Sequence, residues 1–139
     1  MSQIEKNKEL VQEFFNLLSS GSEKYLDFYN DESVIWTAGE NAIGGSRSKS
    51  EVVGFAKSVL DSFPEGITFN VVNLVAENDY VAAEVEGSAM HVSGKPYNNK
   101  YHFLLKIRTY YSQNQHHQKL LVLKTHIPLF HFLWGLHSW

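Results

Sequence analysis

With 139 residues, 43% apolar and 19% charged, the chain has the size and make-up of one soluble globular domain, which argues against disorder, collagen-like repeats and a multi-pass membrane protein. A formal charge of -3, with no Lys/Arg stripe interleaved with aromatics, supplies no field for a phosphate backbone, so nucleic acid is not an expected partner. Cysteine is absent, which removes disulfides, thiolate nucleophiles and Cys-ligated zinc from the candidate chemistry.

The opening MSQIEKNKEL lacks a basic stretch followed by an apolar one, and no apolar run approaches the ~20 residues of a spanning helix. The expectation is a cytoplasmic protein with no membrane partner. Ser2 and Glu5 have the Ser-x-x-Glu spacing of a capping box, and Ile4, Val11, Phe14, Phe15 and Leu18 fall on one stripe of a helix running to about Ser19. A short second helix from Ser22 carries Tyr25, Leu26, Phe28 and Tyr29, and SVIWTA (33–38) is rich in strand formers. The Gly/Asn/Ser cluster from Gly39 to Ser46 predicts a loop. Ser48 and Glu51 repeat the capping-box spacing and open a third helix whose stripe, Val52, Phe55, Ala56, Val59, Leu60 and Phe63, ends at Pro64-Glu65-Gly66.

From Ile67 the apolar period becomes that of strands: ITFNVVNLVA, then YVAAEVEGSAMHV, then YNNKYHFLLKIR, separated by turns at Glu77-Asn78-Asp79 and Ser93-Gly94-Lys95-Pro96. Helices first and an antiparallel meander later make the fold class α+β, a curved antiparallel sheet with one face covered by three helices. Beyond Arg108 the character shifts. The last 31 residues hold no Asp or Glu and five of the seven histidines, where the upstream density would place about four acids. KLLVLKTHI (119–127) reads as a last strand and IPLFHFLWGLHSW as an aromatic tail that docks on the body or on a partner.

VIWTAGENAIGG before the Ser48-capped helix, AAEVEGSAMHVSGKPY, and NNKYHFLLKIR, in this order and spacing, resemble the SnoaL-like, ketosteroid isomerase-like branch of the nuclear-transport-factor-2-like superfamily. The resemblance covers residues 1–108, leaving 109–139 as a divergent strand and tail that complete or flank the same domain. It implies a cone-shaped half-barrel, its sheet wrapped around the three helices of the N-terminal half, with an apolar cavity at the open end. It also implies homodimerisation through the outer sheet face. The activities it implies are cofactor-free isomerase, aldol-type cyclase or epoxide hydrolase chemistry on hydrophobic small molecules, many members having no known activity. One departure matters: relatives carry an acid on the last strand, the proton-transfer group in several of them, and no carboxylate follows Arg108 here. The end of the chain therefore reads as divergent or frame-altered.

Residues two apart in a strand share a face, so Ala82, Glu84, Glu86 and Ser88 oppose Val81, Ala83, Val85 and Gly87. If the apolar set is the helix-packed one, both glutamates face solvent or a dimer partner. The sharper reading, which the resemblance supports, places Glu84 at the cone mouth as a general base, its pKa raised by burial; a bulge that slips the alternation by one bears on either reading. Tyr101 is the candidate oxyanion donor, or a packed strand tyrosine with its hydroxyl at the rim. Trp36, Tyr29 and Phe55 are candidate cavity walls or plain core, with Glu86 and His102 as further ligand contacts. His91 and His102 are acid-base candidates or ordinary strand histidines. His116, His117, His126, His131 and His137 lack the i, i+4 pair and the carboxylate of a zinc site, and GENAIGGSRS lacks the lysine of a phosphate loop. No metal or cofactor is expected. Two functions remain open: a catalyst using Glu84 and Tyr101 on a hydrophobic small molecule, and a non-catalytic ligand-binding or dimerisation module.

Overall fold

The computed structural model describes residues 2–38, 44–112 and 115–126. Helix α1 (Gln3–Ser20) opens where the Ser2 side chain accepts from the Glu5 amide and closes at Gly21 in the left-handed region, φ 74°, a conformation that glycine adopts without strain. It buries Val11, Phe14 and Phe15 completely. The expected second helix is a 3-10 helix, Glu23–Phe28, capped by Ser22. Its aromatics close on α1: the Phe14 ring meets those of Tyr25, Phe28 and Tyr29 edge-on at 5.6–6.3 Å, the T-shaped arrangement that ring quadrupoles favour.

Six strands form one sheet: β1 (Val34–Thr37), β2 (Gly45–Arg47), β3 (Thr68–Glu77), β4 (Tyr80–Met90), β5 (Pro96–Ser112) and β6 (Gln115–His126), in the order β2-β1-β6-β5-β4-β3. Neighbours are antiparallel except β1 and β6, which run parallel. The sheet is curved and unclosed, with the helices on one face, in a mixed α+β architecture. β5 continues through Arg108 to Ser112 and pairs with β6 from His102↔His126 to Ser112↔Gln115, with one register shift between Lys106 and Ile107. The change in composition thus falls in the middle of a strand. Two residues of the expected loop, Gly45 and Ser46, belong to β2.

The helix-covered face holds the core: Val81, Ala83 and Val85 from β4, Tyr101, Phe103, Leu105 and Ile107 from β5, and Leu120 and Leu123 from β6. Helix α2 (Lys49–Ser62) starts at a complete capping box between Ser48 and Glu51. It packs on β1 and β2 and is fastened at its ends. The Lys49 ammonium donates to the Tyr29 carbonyl at 3.2 Å, and the Ser62 carbonyl accepts from the Val92 amide at 2.8 Å. Val52 and Phe63 are buried, Phe55, Ala56 and Val59 are half-buried, and Leu60, expected on the buried stripe, is 53% exposed. Residues 39–43 and the tail from Ile127, which includes His131 and His137, lie outside the described residues. Among the described residues no helix is long and apolar enough to cross a membrane.

Candidate functional site

The alternation in β4 runs without interruption from Val81 to Ser88. The register shift that would displace Glu84 is in β3 instead, between Val71 and Asn73. Glu84 and Glu86 therefore stand exposed on the outer face, where Glu84 accepts from the Asn73 amide at 3.4 Å. His102 follows them there, because it is the cross-strand partner of Glu84. Of the two placements the alternation left open for the glutamates, this is the outward one, and none of the three stands on the helix-covered face.

Trp36 is also on the outer face. It lies beside Lys124 in the parallel β1·β6 pairing, and its indole meets the His126 ring at 5.3 Å and the Lys124 ammonium at 6.0 Å. Its strand is too short for alternation to reveal a side, and the neighbour that sets it, Lys124, is far away in the chain. Tyr29 lies 4% exposed among the aromatics of α1 and the 3-10 helix, and its phenol is pushed far above the ordinary 10.0 by burial first and the neighbouring Tyr25 second. Phe55, on the half-buried side of α2, stacks under the Arg47 guanidinium at 4.3 Å.

Tyr101 is the one expected site residue that presents a polar group on the helix-covered face of β5. Its ring stacks on Phe103 and meets Phe69 at 5.8 Å. Phe103 and Phe69 in turn pack on Phe15 of α1 at 4.9 and 6.0 Å. The Tyr101 hydroxyl is 2.5 Å from that of Tyr97, and the Asn99 side-chain amide donates to the Tyr97 oxygen at 3.1 Å. Tyr97, Asn99 and Tyr101 share the inner face by strand period, and Phe63 at the end of α2 covers Tyr97 with ring centroids 5.0 Å apart. Burial, then the adjoining Tyr97, hold the Tyr101 phenol well above 10.0, with the Asn99 amide pulling slightly the other way. The pair is thus a neutral hydrogen-bond donor in apolar surroundings, able to stabilise a carbonyl or a developing enolate.

Sequence reasoning missed Tyr97 and Asn99. The signal was available, since YNNKY puts three polar side chains on one face of a strand that is otherwise apolar on that side. His91, 8% exposed, stands against Phe63 at 5.5 Å. Its Nδ1 accepts from the Ser93 amide at 3.1 Å and lies 2.8 Å from the Ser93 hydroxyl, an arrangement that fastens the β4–β5 turn. Among the described residues no group of His, Asp and Glu is placed to hold a metal ion.

Two open concavities lie on the outer face. One of about 590 Å³ is lined by Val72, Glu84, Val85, Glu86, Lys100, Tyr101, His102 and His126, and so brings the expected site residues Glu84, Glu86, Tyr101 and His102 to one concavity. The other, of about 330 Å³, continues it past Asn70, Ser88 and Asn98.

A helix-covered, curved sheet with α2 bridging its open side is an arrangement found among solved structures. The chain has a nuclear-transport-factor-2-like fold. An NTF2-like protein from Anabaena variabilis superposes with a TM-score of 0.71 at 20% identity, over 92% of this chain and 94% of that one. IdmH from Streptomyces antibioticus, a proposed polyketide cyclase, gives 0.74 at 17% identity over 95% and 99%. A proposed SnoaL-like polyketide cyclase from Jannaschia gives 0.70 at 14% identity over 96% and 93%. No protein-family model and no curated protein matches the sequence. At these identities the likeness is one of NTF2-like architecture.

Proposed function

We propose that the chain binds a hydrophobic small molecule between the half-buried side of α2 and the inner face of β5, with the Tyr101 phenol as its polar anchor. The observation that carries this reading is the Tyr97–Tyr101 hydrogen bond at 2.5 Å, backed by Asn99, on a face otherwise built of phenylalanine and aliphatic side chains. An apolar site with a few convergent polar groups is the usual form of a small-molecule pocket. Solved neighbours of this fold described as proposed polyketide cyclases act as support for the ligand class. A ligand offering a carbonyl or phenol oxygen to Tyr101, with its rings against Phe63 and Phe103, fits the chemistry. Of the two functions left open by the sequence, the non-catalytic module gains from the outward placement of Glu84, which takes the assigned base out of reach.

The test is a fluorescence titration with 2-naphthol, an aromatic ring carrying one hydroxyl. Saturable one-to-one binding that weakens about tenfold in Tyr101→Phe supports the anchor, since a hydrogen bond contributes about 1 kcal/mol or somewhat more. Binding unchanged in Tyr101→Phe and abolished in Glu84→Gln would move the site to the outer groove and sink the proposal.

For the outer face we propose a second copy of the chain. Glu84 and Glu86 lie on β4, while Lys100, Lys106 and Lys124 lie on β5 and β6. A two-fold axis running along the strands between β4 and β5 lays the acidic strand of one copy over the basic strand of the other, as an isologous interface requires. Val72 and Val75, 56% and 59% exposed on β3, add apolar area. Sedimentation should show a dimer that dissociates in the Glu84→Lys/Glu86→Lys variant; a wild-type monomer at all concentrations would refute it.

A further inference from the structure

Tyr97 and Tyr101 are four residues apart on one strand, so their Cα atoms are separated by about 13 Å. Their hydroxyls nevertheless meet at 2.5 Å. Both side chains must therefore lean toward each other along the strand, over Asn99, instead of standing upright from the sheet. The cross-strand partner of Asn99 is Gly87, buried on the same inner face. A methyl group placed on Gly87 would lie 2.6 Å from Cε2 of the Tyr101 ring and 3.5 Å from Cγ2 of Ile67. The first distance is well inside van der Waals contact.

Glycine at this position is not explained by backbone conformation. Gly21, Gly45, Gly66 and Gly94 have positive φ, and Gly87 does not. It sits in the regular part of a strand, where glycine weakens pairing unless another group approaches closely. The inner row of β4 reads Val81, Ala83, Val85, Gly87, and the only residue in it without a side chain is the one under the tilted phenol ring.

We propose that Gly87 is the positioning residue of the site: the space above it lets the Tyr101 ring lean until its hydroxyl reaches Tyr97, and so fixes where the polar anchor points. Its importance for ligand binding rests on the function proposed above; its effect on the tyrosine pair does not. Adding one methyl group forces the ring upright or sideways and separates the two hydroxyls.

The experiment reads the tyrosine pair directly, without ligand. A short, buried hydroxyl hydrogen bond protects its proton from exchange and moves the proton resonance downfield. In the wild type this resonance is identified by its loss in Tyr97→Phe and Tyr101→Phe. The expected result for Gly87→Ala is loss of the same resonance with the circular dichroism of the folded chain retained, and about tenfold weaker 2-naphthol binding with no further loss when Tyr101→Phe is added. A Gly87→Ala protein that keeps the resonance overturns the proposal. If Gly87→Ala does not fold, the double variant Gly87→Ala/Tyr101→Leu decides: recovery of the fold shows that the obstruction is the Tyr101 ring, and failure to recover shows that Gly87 serves the sheet and not the phenol. Loss of the resonance together with no binding of 2-naphthol to the wild type leaves the positioning role standing and removes the ligand reading alone.

Discussion

The Ser33 hydroxyl donates to the Leu120 carbonyl at 2.6 Å, across 87 positions of sequence. The same oxygen accepts from the Asn30 amide at 2.9 Å, and Ser33 is 3% exposed. One buried hydroxyl thereby ties the turn before β1 to the strand that β1 joins in parallel. Parallel pairing without a local hairpin has to be brought together by contacts of this kind.

Replacing Ser33 by alanine takes one partner from the buried Leu120 carbonyl and one from the half-buried Asn30 amide. The expected loss is about 1–3 kcal/mol, read as a lowered urea midpoint with an unchanged slope. A loss below about 0.5 kcal/mol, the scale of ordinary surface substitutions, would show that water or a shifted loop takes over both bonds.

Phe15 is fully buried and touches Phe14, Phe69 and Phe103, joining α1 to β3 and β5. Phe15→Ala removes that joint and leaves a void beneath Tyr101's neighbours. About 3–5 kcal/mol is expected, measurable by thermal unfolding. Ligand affinity in the folded fraction should fall as well, because Phe103 then loses its backing.

The capping box of α2 makes a prediction about acid. The Ser48 backbone amide, and then its side chain, hydrogen-bond the Glu51 carboxylate and hold its pKa below 4.5. A carboxylate lowered on folding adds stability that is complete above its unfolded value and is lost as the pH falls through its folded value. Glu51→Gln should therefore lower the stability slightly above about pH 4.5 and flatten the acid limb below it, the two profiles converging at low pH. Ser48→Ala should cost about 1 kcal/mol at neutral pH. An acid limb identical in wild type and Glu51→Gln would remove the box from that transition.

Alkali probes the buried phenols. Tyr29 and Tyr101 are both raised above 10.0 chiefly by burial. A phenol raised on folding contributes stability that is complete below its unfolded value of 10.0 and declines as the pH rises beyond it. Ultraviolet titration should show these two phenols ionising only with unfolding, and Tyr101→Phe should extend the folded range to higher pH. Free, reversible ionisation of all seven tyrosines near pH 10 in the folded chain would contradict their burial.

Much of the local structure was legible because its causes are local. Ser48 and Glu51 are three residues apart, and their box forms as the spacing requires. Gly21 closes α1 at the Ser-Ser-Gly that marks its end. In β4 the two sides of the strand were separable by alternation alone, and the apolar side is the buried one.

The candidate site was harder to read for a physical reason. Alternation sorts a strand into two faces but does not say which face a ligand sees, and the regular alternation of β4 leaves Glu84 on the exposed one. Trp36 belongs to a strand of four residues, too short to carry a pattern, and its side of the sheet follows from pairing with β6. Tyr97 and Tyr101 are on one face by period, yet only the missing side chain of Gly87 on the neighbouring strand allows their hydroxyls to touch.

By itself the sequence determined the helix caps and the in-or-out sorting of the long strand β4, since these depend on φ/ψ preference and on periods of 3.6 and 2 within a few residues. The tertiary structure alone decided that β1 lies parallel to β6, that the glutamates face outward and that a phenol pair faces inward. Those outcomes rest on contacts between distant segments, and their geometry is set by how the whole sheet curves beneath its helices.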